Sequence, residues 1–430
     1  MTFRHRLSVY LNLFVIFLTT IRRHGPVIAI RRATNFVKSK RVNAFFDIDQ
    51  YQHAVPKVRK RKKSDAIAPP QMLIVTHVWN TSGVPILAGH LSTYFERRGF
   101  STGIWSVEIP QLKNRSLIGS GDVHELESTF SRLPKIIFLN TTCVPAAFIE
   151  FCCEQLIYKR IDQLILYSHE DIVILPKTTI QLLDIASSTK CHIFAGSEKT
   201  KNKLQSYFKN KIVEAVPYQI SETSRLKSIG RLPKILNYPS LDIILVGSTS
   251  DNRKGHIQAA KTIYWARLFS QLVRQFGADN RYRKINFVVV GAQLFPTIDS
   301  ISSKIIEILN RQLTILPVLK SQGYLEVLEK QNAVICVSQY ETLPLYVSEG
   351  MARGCIVLRN SSGGLAEQLR IGGNGIKLTN RPIFDGYRIF RLSGRGDSEL
   401  ADMGEESIKR FHEIHTSAWD LHFGFLYKNE

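Results

Sequence analysis

The segment 246–256, VGSTSDNRKGH, places two adjacent cations and a glycine between an apolar run and a helix-forming stretch. Arg253 and Lys254 directly precede Gly255, and a glycine lets the backbone come close to a ligand. A helix N-terminus would add free N–H groups and partial positive charge. These features predict a diphosphate site that needs no metal ion. From this motif alone, the alternative is a solvated basic loop.

Two glutamates with seven residues between them follow the apolar run 333–338. We expect Glu341 in the loop after a strand and Glu349 in the next helix, with Thr342 as its N-cap and Pro344 in its first turn. A carboxylate on a helix that lines a crevice can accept two hydrogen bonds from ribose hydroxyls. A carboxylate at the end of a strand can contact a sugar. Taken singly, each glutamate would more often be a surface carboxylate.

Three further strand ends carry residues suited to the crevice that forms beyond the carboxyl ends of a parallel sheet. Gly363 and Gly364 would present backbone N–H groups to a ligand, although a plain turn is the alternative. His169 ends the run 164–169 and would face the crevice, although a lone histidine is more often structural. Gly83, after the first apolar run, would allow a close backbone approach.

The elements that must hold these residues show in the hydrophobic pattern. Eight runs rich in Ile and Val predict strands at 72–77, 135–140, 164–169, 191–196, 242–247, 285–291, 333–338 and 355–360. The segments between them predict helices at 84–98, 144–159, 199–209, 256–276, 301–311, 322–330, 344–353 and 364–370. Continuous apolar runs indicate strands buried on both faces, and their alternation with helices is typical of doubly wound α/β units.

The alternation breaks once, over residues 221–240, which we interpret as a linker. We therefore predict two Rossmann-like domains, at 67–225 and 240–395, within the 430-residue chain. A basic extension would precede them at 1–66, and a helical segment would follow at 396–430.

The basic extension carries fifteen Lys or Arg against three Asp, a net +12 of the +21 of the whole chain. Its uncharged run 7–21 is too short to span a membrane as a helix and lacks a small-residue cleavage site. An interfacial helix on an anionic membrane surface is the favoured interpretation, ahead of a buried or partner-packed helix and of an uncleaved signal or short span. Nucleic acid is a less favoured partner, since no aromatic platform or recognition motif accompanies the charge.

Six cysteines without C-x-x-C spacing are too few for a disulfide scaffold. We interpret them as buried thiols in a reducing compartment, which predicts a cytoplasmic protein, peripheral on the inner face of the membrane if the extension binds lipid. No P-loop, G-x-G-x-x-G, H-E-x-x-H or zinc spacing is present, so we expect no cofactor and no metal.

The order and spacing of RKG (253–255), the two glutamates and the GG-x-x-E turn (363–367) resemble the retaining glycosyltransferases of glycosyltransferase family 4. The resemblance extends over about residues 67–430. It implies a GT-B fold, in which two Rossmann-like domains face a central cleft and the terminal helix crosses back onto the first domain. Ser248 departs from the pattern, because many relatives have a basic residue there.

The resemblance also implies roles for the site residues. Arg253 and Lys254 would hold the donor diphosphate, Glu349 the ribose and Glu341 the donor sugar, while His169 would approach that sugar from the other domain. Further donor contacts would come from Gly83, Gly247, Thr342, Leu343, Gly363 and Gly364.

The implied function is transfer of a sugar from a nucleotide-sugar donor to a glycan or lipid-linked acceptor hydroxyl, with retention and without metal, in polysaccharide or glycoconjugate synthesis. Two alternatives stay open. One is a nucleotide-sugar epimerase, which uses no acceptor. The other is a degenerate protein that binds nucleotide or glycan without turnover.

Overall fold

The computed structural model describes residues 66–427 apart from 78–82, 109–116, 170–174, 187–189, 209–210, 220–239, 248–254, 277–281, 292–313, 318, 320, 339–340, 342, 361–363 and 417. The basic extension, except for Ala66, and the predicted helix 301–311 therefore lie outside the described residues. So does the predicted linker, except for Ser240.

The first sheet has seven described strands, all parallel, in the order β3-β2-β1-β4-β5-β6-β7. The strands are β1 Met72–Thr76, β2 Thr102–Ser106, β3 Leu117–Ser120, β4 Ile136–Leu139, β5 Gln163–Ser168, β6 Cys191–Ala195 and β7 Glu214–Ala215. The described helices that accompany them are α1 Gly83–Glu96, α2 Val123–Thr129, α3 Ala146–Ile157, α4 Lys177–Ala186 and α5 Glu198–Gln205. The order of the strands places the carboxyl ends of β1, β4 and β5 side by side at the centre of one sheet edge.

The second sheet has six described strands, again all parallel, in the order β10-β9-β8-β11-β12-β13. The strands are β8 Ser240–Val246, β9 Lys284–Val290, β10 Thr314–Leu316, β11 Ala333–Cys336, β12 Ile356–Arg359 and β13 Gly375–Lys377. The described helices are α6 His256–Phe276, α7 Ser321–Glu329, α8 Leu345–Met351, α9 Leu365–Gln368, α10 Pro382–Ser393, α11 Asp397–His415 and α12 Ala418–Phe423, and a 3₁₀ turn follows at Gly424–Leu426.

Both sheets confirm the prediction of two doubly wound, parallel α/β units. The eight predicted strands are all present, because continuous Ile and Val runs are buried on both faces of a parallel sheet. Five further strands, β2, β3, β7, β10 and β13, were not predicted. They are short or carry glycine and polar residues, as in TGIWS of β2.

The described end of the chain packs against the first sheet. The ring of Phe423 lies 5.6 Å from that of Phe138 and 5.3 Å from that of Phe194, both on first-sheet strands. Trp419 lies 5.1 Å edge-on from Tyr94 of α1. Trp419 and Phe423 are fully buried, and burying such side chains contributes roughly 2–3 kcal/mol each. Helix α12 therefore belongs to the core of the first sheet although it follows the second one in sequence.

All six cysteines are free thiols, and five of them are buried. Cys143 is exposed, which corrects the expectation that all six are buried: it lies in the loop between β4 and α3. Among the described residues, no helix combines the length and apolar character needed to cross a membrane.

Candidate functional site

The predicted diphosphate segment starts and ends at two glycines with unusual backbone angles. Gly247 follows β8 with φ 142°, and its carbonyl accepts a hydrogen bond from Nε2 of His256, the first residue of α6, at 3.1 Å. Gly255 has φ +70°, where a Cβ would be strained. A Cβ at Gly255 would also lie 2.5 Å from the carbonyl oxygen of Val337, just beyond β11. Only glycine therefore lets the chain enter α6 at the carboxyl ends of β8 and β11.

Four of the predicted site residues lie outside the described residues: Arg253, Lys254, Thr342 and Gly363. Their roles therefore stay predictions.

The loop that holds Glu341 meets the glycine turn before α9. The Gly364 N–H donates to the Glu341 carbonyl oxygen at 3.2 Å, and the Ser338 hydroxyl donates to the Glu341 carboxylate at 3.4 Å. The Gly364 N–H is thus engaged within the chain, whereas the sequence analysis expected it to face a ligand. Leu343 is buried beside this loop. The structure therefore brings Glu341, Leu343 and Gly364 together at the carboxyl edge of the second sheet.

Glu349 is only 4% exposed, although it is a carboxylate. It lies on α8, whose N-cap is Pro344, so the proline stands just before the helix rather than within its first turn as predicted. Burial, together with the charge of Glu349, raises the pKa of the Tyr324 hydroxyl on α7 well above its ordinary value. A buried carboxylate must be offset by hydrogen bonds or charge. This placement argues against the surface-carboxylate alternative for Glu349.

His169 follows β5 at the carboxyl edge of the first sheet, and a buried amide fixes its ring. The His169 Nε2 atom lies 3.0 Å from Asn140 Oδ1, while Asn140 Nδ2 donates to the Val84 carbonyl oxygen at 2.9 Å. Because the Asn140 nitrogen faces a carbonyl, its oxygen faces His169, and Nε2 must carry a proton.

The same contact links His169 to the predicted glycine loop, because Val84 directly follows Gly83, where α1 begins. Asn140 is fully buried, and it was not among the site residues predicted from the sequence. The only signal was its place as the last residue of the predicted strand 135–140.

Glu367, the glutamate of the GG-x-x-E turn, contacts the other half of the molecule. Its carboxylate accepts the backbone N–H of Glu198, the first residue of α5, at 2.9 Å. Its own carbonyl oxygen accepts two hydrogen bonds from the Arg410 guanidinium, at 2.8 and 2.6 Å. Burial raises the pKa of the Glu367 carboxyl, and backbone N–H groups partly oppose that effect. Glu367 therefore connects the glycine turn of the second sheet with a helix of the first.

Arg359, the last residue of β12, is a buried cation that was not among the residues predicted from the sequence. It is 3% exposed; its Nη1 donates to the Asn360 carbonyl oxygen at 2.9 Å, and its Nε has no hydrogen-bond partner among the described residues. Burial lowers the pKa of Arg359 to about 10, so the side chain stays charged at neutral pH. An arginine inside the apolar run CIVLRN was the available signal.

Within the described part of the chain, no group of three or more His, Cys, Asp or Glu side chains is arranged to hold a metal ion. The metal-independent reaction stays a prediction.

No protein-family model matches the chain, and no curated protein matches it. Solved structures are similar in fold. HepE of Anabaena, in complex with UDP and glucose, superposes with a TM-score of 0.60 at 12% identity, over 84% of this chain and 100% of HepE. The fold is GT-B.

Two other solved structures agree. A glycosyltransferase of Rickettsia africae gives a TM-score of 0.60 at 15% identity, over 84% of this chain and 98% of its own. Sucrose-phosphate synthase of Thermosynechococcus elongatus gives 0.58 at 12% identity, over 84% and 99%. This chain thus superposes on nearly the whole length of these GT-B proteins.

Proposed function

We propose that the chain is a glycosyltransferase that moves a sugar from a nucleotide-sugar donor to an acceptor hydroxyl. The observation that carries the proposal is the buried carboxylate of Glu349 on α8, with Glu341 eight positions earlier in the loop after β11. The crevice beyond the carboxyl ends of the strands is where open α/β sheets bind ligands. Anabaena HepE, which shares the fold, was solved with UDP and with UDP-glucose, so UDP is the first nucleotide to test.

In this proposal the second sheet binds the donor. Glu349 would accept hydrogen bonds from ribose hydroxyls, and Glu341 would contact hydroxyls of the donor sugar. Gly255 would bring the preceding segment, with Arg253 and Lys254, to the diphosphate. Charge that develops on the departing diphosphate is stabilised best by cations that are already in place, an effect worth several kcal/mol.

The chemistry we propose is same-face substitution at the anomeric carbon. The bond from the anomeric carbon to the diphosphate oxygen breaks, the acceptor oxygen attacks from the same face, and its proton passes to the departing phosphate. The configuration is then retained. His169 would contact the donor sugar from the first sheet, and closure of the two halves would exclude water and limit donor hydrolysis.

The proposed acceptor is a glycan or a lipid-linked glycan. Support comes from the charge of residues 1–66, net +12, which suits an anionic membrane surface. In this proposal the protein is cytoplasmic and peripheral on the inner face of the membrane. It uses no cofactor beyond the donor substrate and no metal.

Nucleotide-sugar binding by calorimetry tests the proposal. The full-length chain would be titrated with UDP-, GDP-, dTDP- and CMP-sugars, alongside Lys254→Ala and Glu349→Ala. Matched controls are Lys409→Ala and Glu405→Ala, which remove exposed side chains of α11. We expect one base to bind selectively, and each site variant to weaken that binding about tenfold or more, because charged hydrogen bonds are lost.

The alternatives predict different results. A degenerate protein that binds only glycan would bind none of the donors while folded, and would contradict the proposal. An epimerase would convert a bound donor to a different sugar without any acceptor, which proton NMR of the donor would detect.

A further inference from the structure

Four buried polar side chains meet where the chain passes between the two sheets. Tyr218 follows β7, the last strand of the first sheet, and His415 ends α11, just before α12 returns to the first sheet. Ser348 of α8 and Gln368 of α9 complete the group, which we call the junction cluster. The exposed fractions of Tyr218, Ser348, Gln368 and His415 are 4%, 0%, 0% and 1%.

The hydrogen bonds of the junction cluster fix the protons of His415 and of the Ser348 hydroxyl. The Tyr218 carbonyl oxygen lies 2.7 Å from His415 Nδ1 and can only accept, so Nδ1 carries the proton. His415 Nε2, 2.8 Å from Ser348 Oγ, is then the acceptor for the Ser348 hydroxyl. The rings of Tyr218 and His415 are stacked, with centroids 4.8 Å apart.

Ser348 stands at the centre of the cluster. Besides donating to His415, its oxygen accepts from the Tyr218 hydroxyl at 2.9 Å and from Gln368 Nε2 at 2.7 Å. A hydroxyl offers one donor and two acceptor positions, so Ser348 uses its full capacity. Its three partners lie on three different segments of the chain. Because the Ser348 hydroxyl is saturated and buried, it favours one arrangement of those segments, and a displacement of any of them leaves a buried polar group unpaired.

Ser348 directly precedes Glu349, the residue for which we propose contact with the donor ribose. Among the described residues, Tyr218 and His415 mark the two places where the chain passes between the sheets. Both of them hydrogen-bond to Ser348, the residue next to the proposed ribose contact. We infer that Ser348 is a positioning residue for Glu349, and that the junction cluster couples the relative placement of the two sheets to donor binding. The inference rests on the proposed function in so far as Glu349 binds the donor.

The test compares variants that remove one partner each. Tyr218→Phe removes a single hydroxyl and keeps the stacked ring, and Ser348→Ala removes the central oxygen. Ser407→Ala is the matched control, because Ser407 is an equally buried serine on α11 that donates to the Asn374 carbonyl oxygen at 3.3 Å, outside the cluster. Ser348→Thr keeps the hydroxyl and tests for rescue.

Two quantities would be measured on the full chain: the dissociation constant for UDP, and backbone hydrogen exchange in segments 345–351 and 418–423. We expect Tyr218→Phe and Ser348→Ala to weaken UDP binding about 3- to 10-fold, the effect of one or two buried hydrogen bonds. Exchange should rise in both segments, although they lie in different parts of the sequence. Ser348→Thr should recover most of the affinity, and Ser407→Ala should change neither quantity in this way.

The inference fails if folded Tyr218→Phe and Ser348→Ala bind UDP as the wild type does, or if exchange rises in segment 345–351 alone. A wild-type protein that binds no nucleotide contradicts the proposed function instead. In that case the exchange measurement still decides whether the junction cluster couples the two segments.

Discussion

The fully buried side chain of Asn140 holds the ring of His169 and joins it to the start of α1. Its Oδ1 lies 3.0 Å from His169 Nε2, and its Nδ2 donates to the Val84 carbonyl oxygen at the start of α1. One amide thus fixes the tautomer of His169 and its distance from the glycine that begins α1. The contact that we propose between His169 and the donor sugar would depend on this fixed orientation.

Replacing Asn140 by alanine is therefore expected to affect turnover more than binding. Without the amide, the His169 ring can rotate away from its position, and turnover of the donor should fall about 10- to 100-fold. The affinity for UDP should change less than about twofold, because the side-chain hydrogen bonds that Asn140 makes to described residues go to His169 and Val84 of the first half, and not to Glu349, the proposed ribose contact. The two quantities are measured by donor turnover and by calorimetry.

The matched control is Asn332→Ala. Asn332 is also a buried asparagine, but its side-chain oxygen accepts the Asp242 N–H at 2.7 Å near the amino ends of β8 and β11. It should lower stability without a selective loss of turnover. Equal losses in both variants would show that Asn140 has only a structural role.

Gly255→Ala tests whether the entry into α6 depends on glycine. The substitution places a Cβ at φ +70° and 2.5 Å from the Val337 carbonyl oxygen, so it combines backbone strain with a clash against backbone. Strain at positive φ alone costs about 1–3 kcal/mol. We expect a larger loss in the free energy of unfolding, together with loss of UDP binding, as measured by denaturant titration and calorimetry.

Gly372→Ala separates the two effects. Gly372 has φ +81°, and nothing lies within 4 Å of the position its Cβ would take. The free energy of unfolding of Gly372→Ala should fall only by the cost of the backbone strain, and the variant should keep its affinity for UDP. If Gly255→Ala behaved like Gly372→Ala, the contact with Val337 would not limit the backbone at the site.

Patterns along the chain predicted the parts of the molecule that depend on local order. The run AVICVS predicted β11, and the spacing of Glu341 and Glu349 placed one in a loop and the other on a helix. The contacts that position these residues join distant parts of the chain. Asn140 and His169 are 29 residues apart, and Ser348 and His415 are 67 apart. A hydrophobic periodicity cannot predict such pairs, because they form only when the order of the strands brings distant segments together.

Residues of one chemical type also proved to differ in ways that the pattern could not show. Glu349 and Glu367 both follow the strand ends of the second sheet, but Glu349 is buried beside Tyr324, while Glu367 contacts the N–H of Glu198 in the other half of the molecule. Edge strands such as β13 were missed because three residues, GIK, are too few for a hydrophobic pattern.

The junction cluster should make the protein sensitive to acid. The pKa of His415 is lowered from an ordinary value of 6.5 to about 4, mainly by burial; the hydrogen bond to the Tyr218 carbonyl opposes this effect, and the charge of Arg410 adds to it. As the pH falls, His415 therefore takes up a proton at a higher pH in the unfolded chain than in the folded protein. Stability is fully present above pH 6.5 and is lost as the pH falls towards 4, by about 3 kcal/mol from this residue.

Chemical unfolding at a series of pH values measures this effect. His415→Gln, which keeps an acceptor for Ser348, should be less stable than the wild type at pH 7 but show a flatter dependence between pH 6.5 and 4. His412→Gln is the control, since His412 lies exposed on the same helix, and should keep the wild-type slope. An unchanged slope in His415→Gln would assign the acid sensitivity to other groups.

Arg359 is expected to lower the stability of the ligand-free protein. The residue is 3% exposed; among the described residues its Nε has no hydrogen-bond partner, and its Nη1 donates to a neutral carbonyl. The charge of Glu367 offsets the effect of burial only in part. A poorly compensated buried charge costs several kcal/mol, so Arg359→Met, which fills a similar volume, should raise the free energy of unfolding by about 1 kcal/mol or more. Denaturant titration without ligand measures this.

Arg359 lies at the carboxyl edge of the sheet for which we propose donor binding, so a donor phosphate would offset this cost in the bound state. Arg359→Met should therefore gain less stability from added UDP than the wild type does. Compared with the wild type, its free energy of unfolding would be higher without UDP, and the increase that UDP brings would be smaller. Arg353→Met is the contrasting variant, because the Arg353 side chain is also only 4% exposed but pairs with Glu329 at 3.9 Å and donates to the Glu349 carbonyl oxygen at 2.9 Å. It should lose stability without ligand. If Arg359→Met lost stability in the same way, its charge would be satisfied within the protein, and no anion would be needed to explain it.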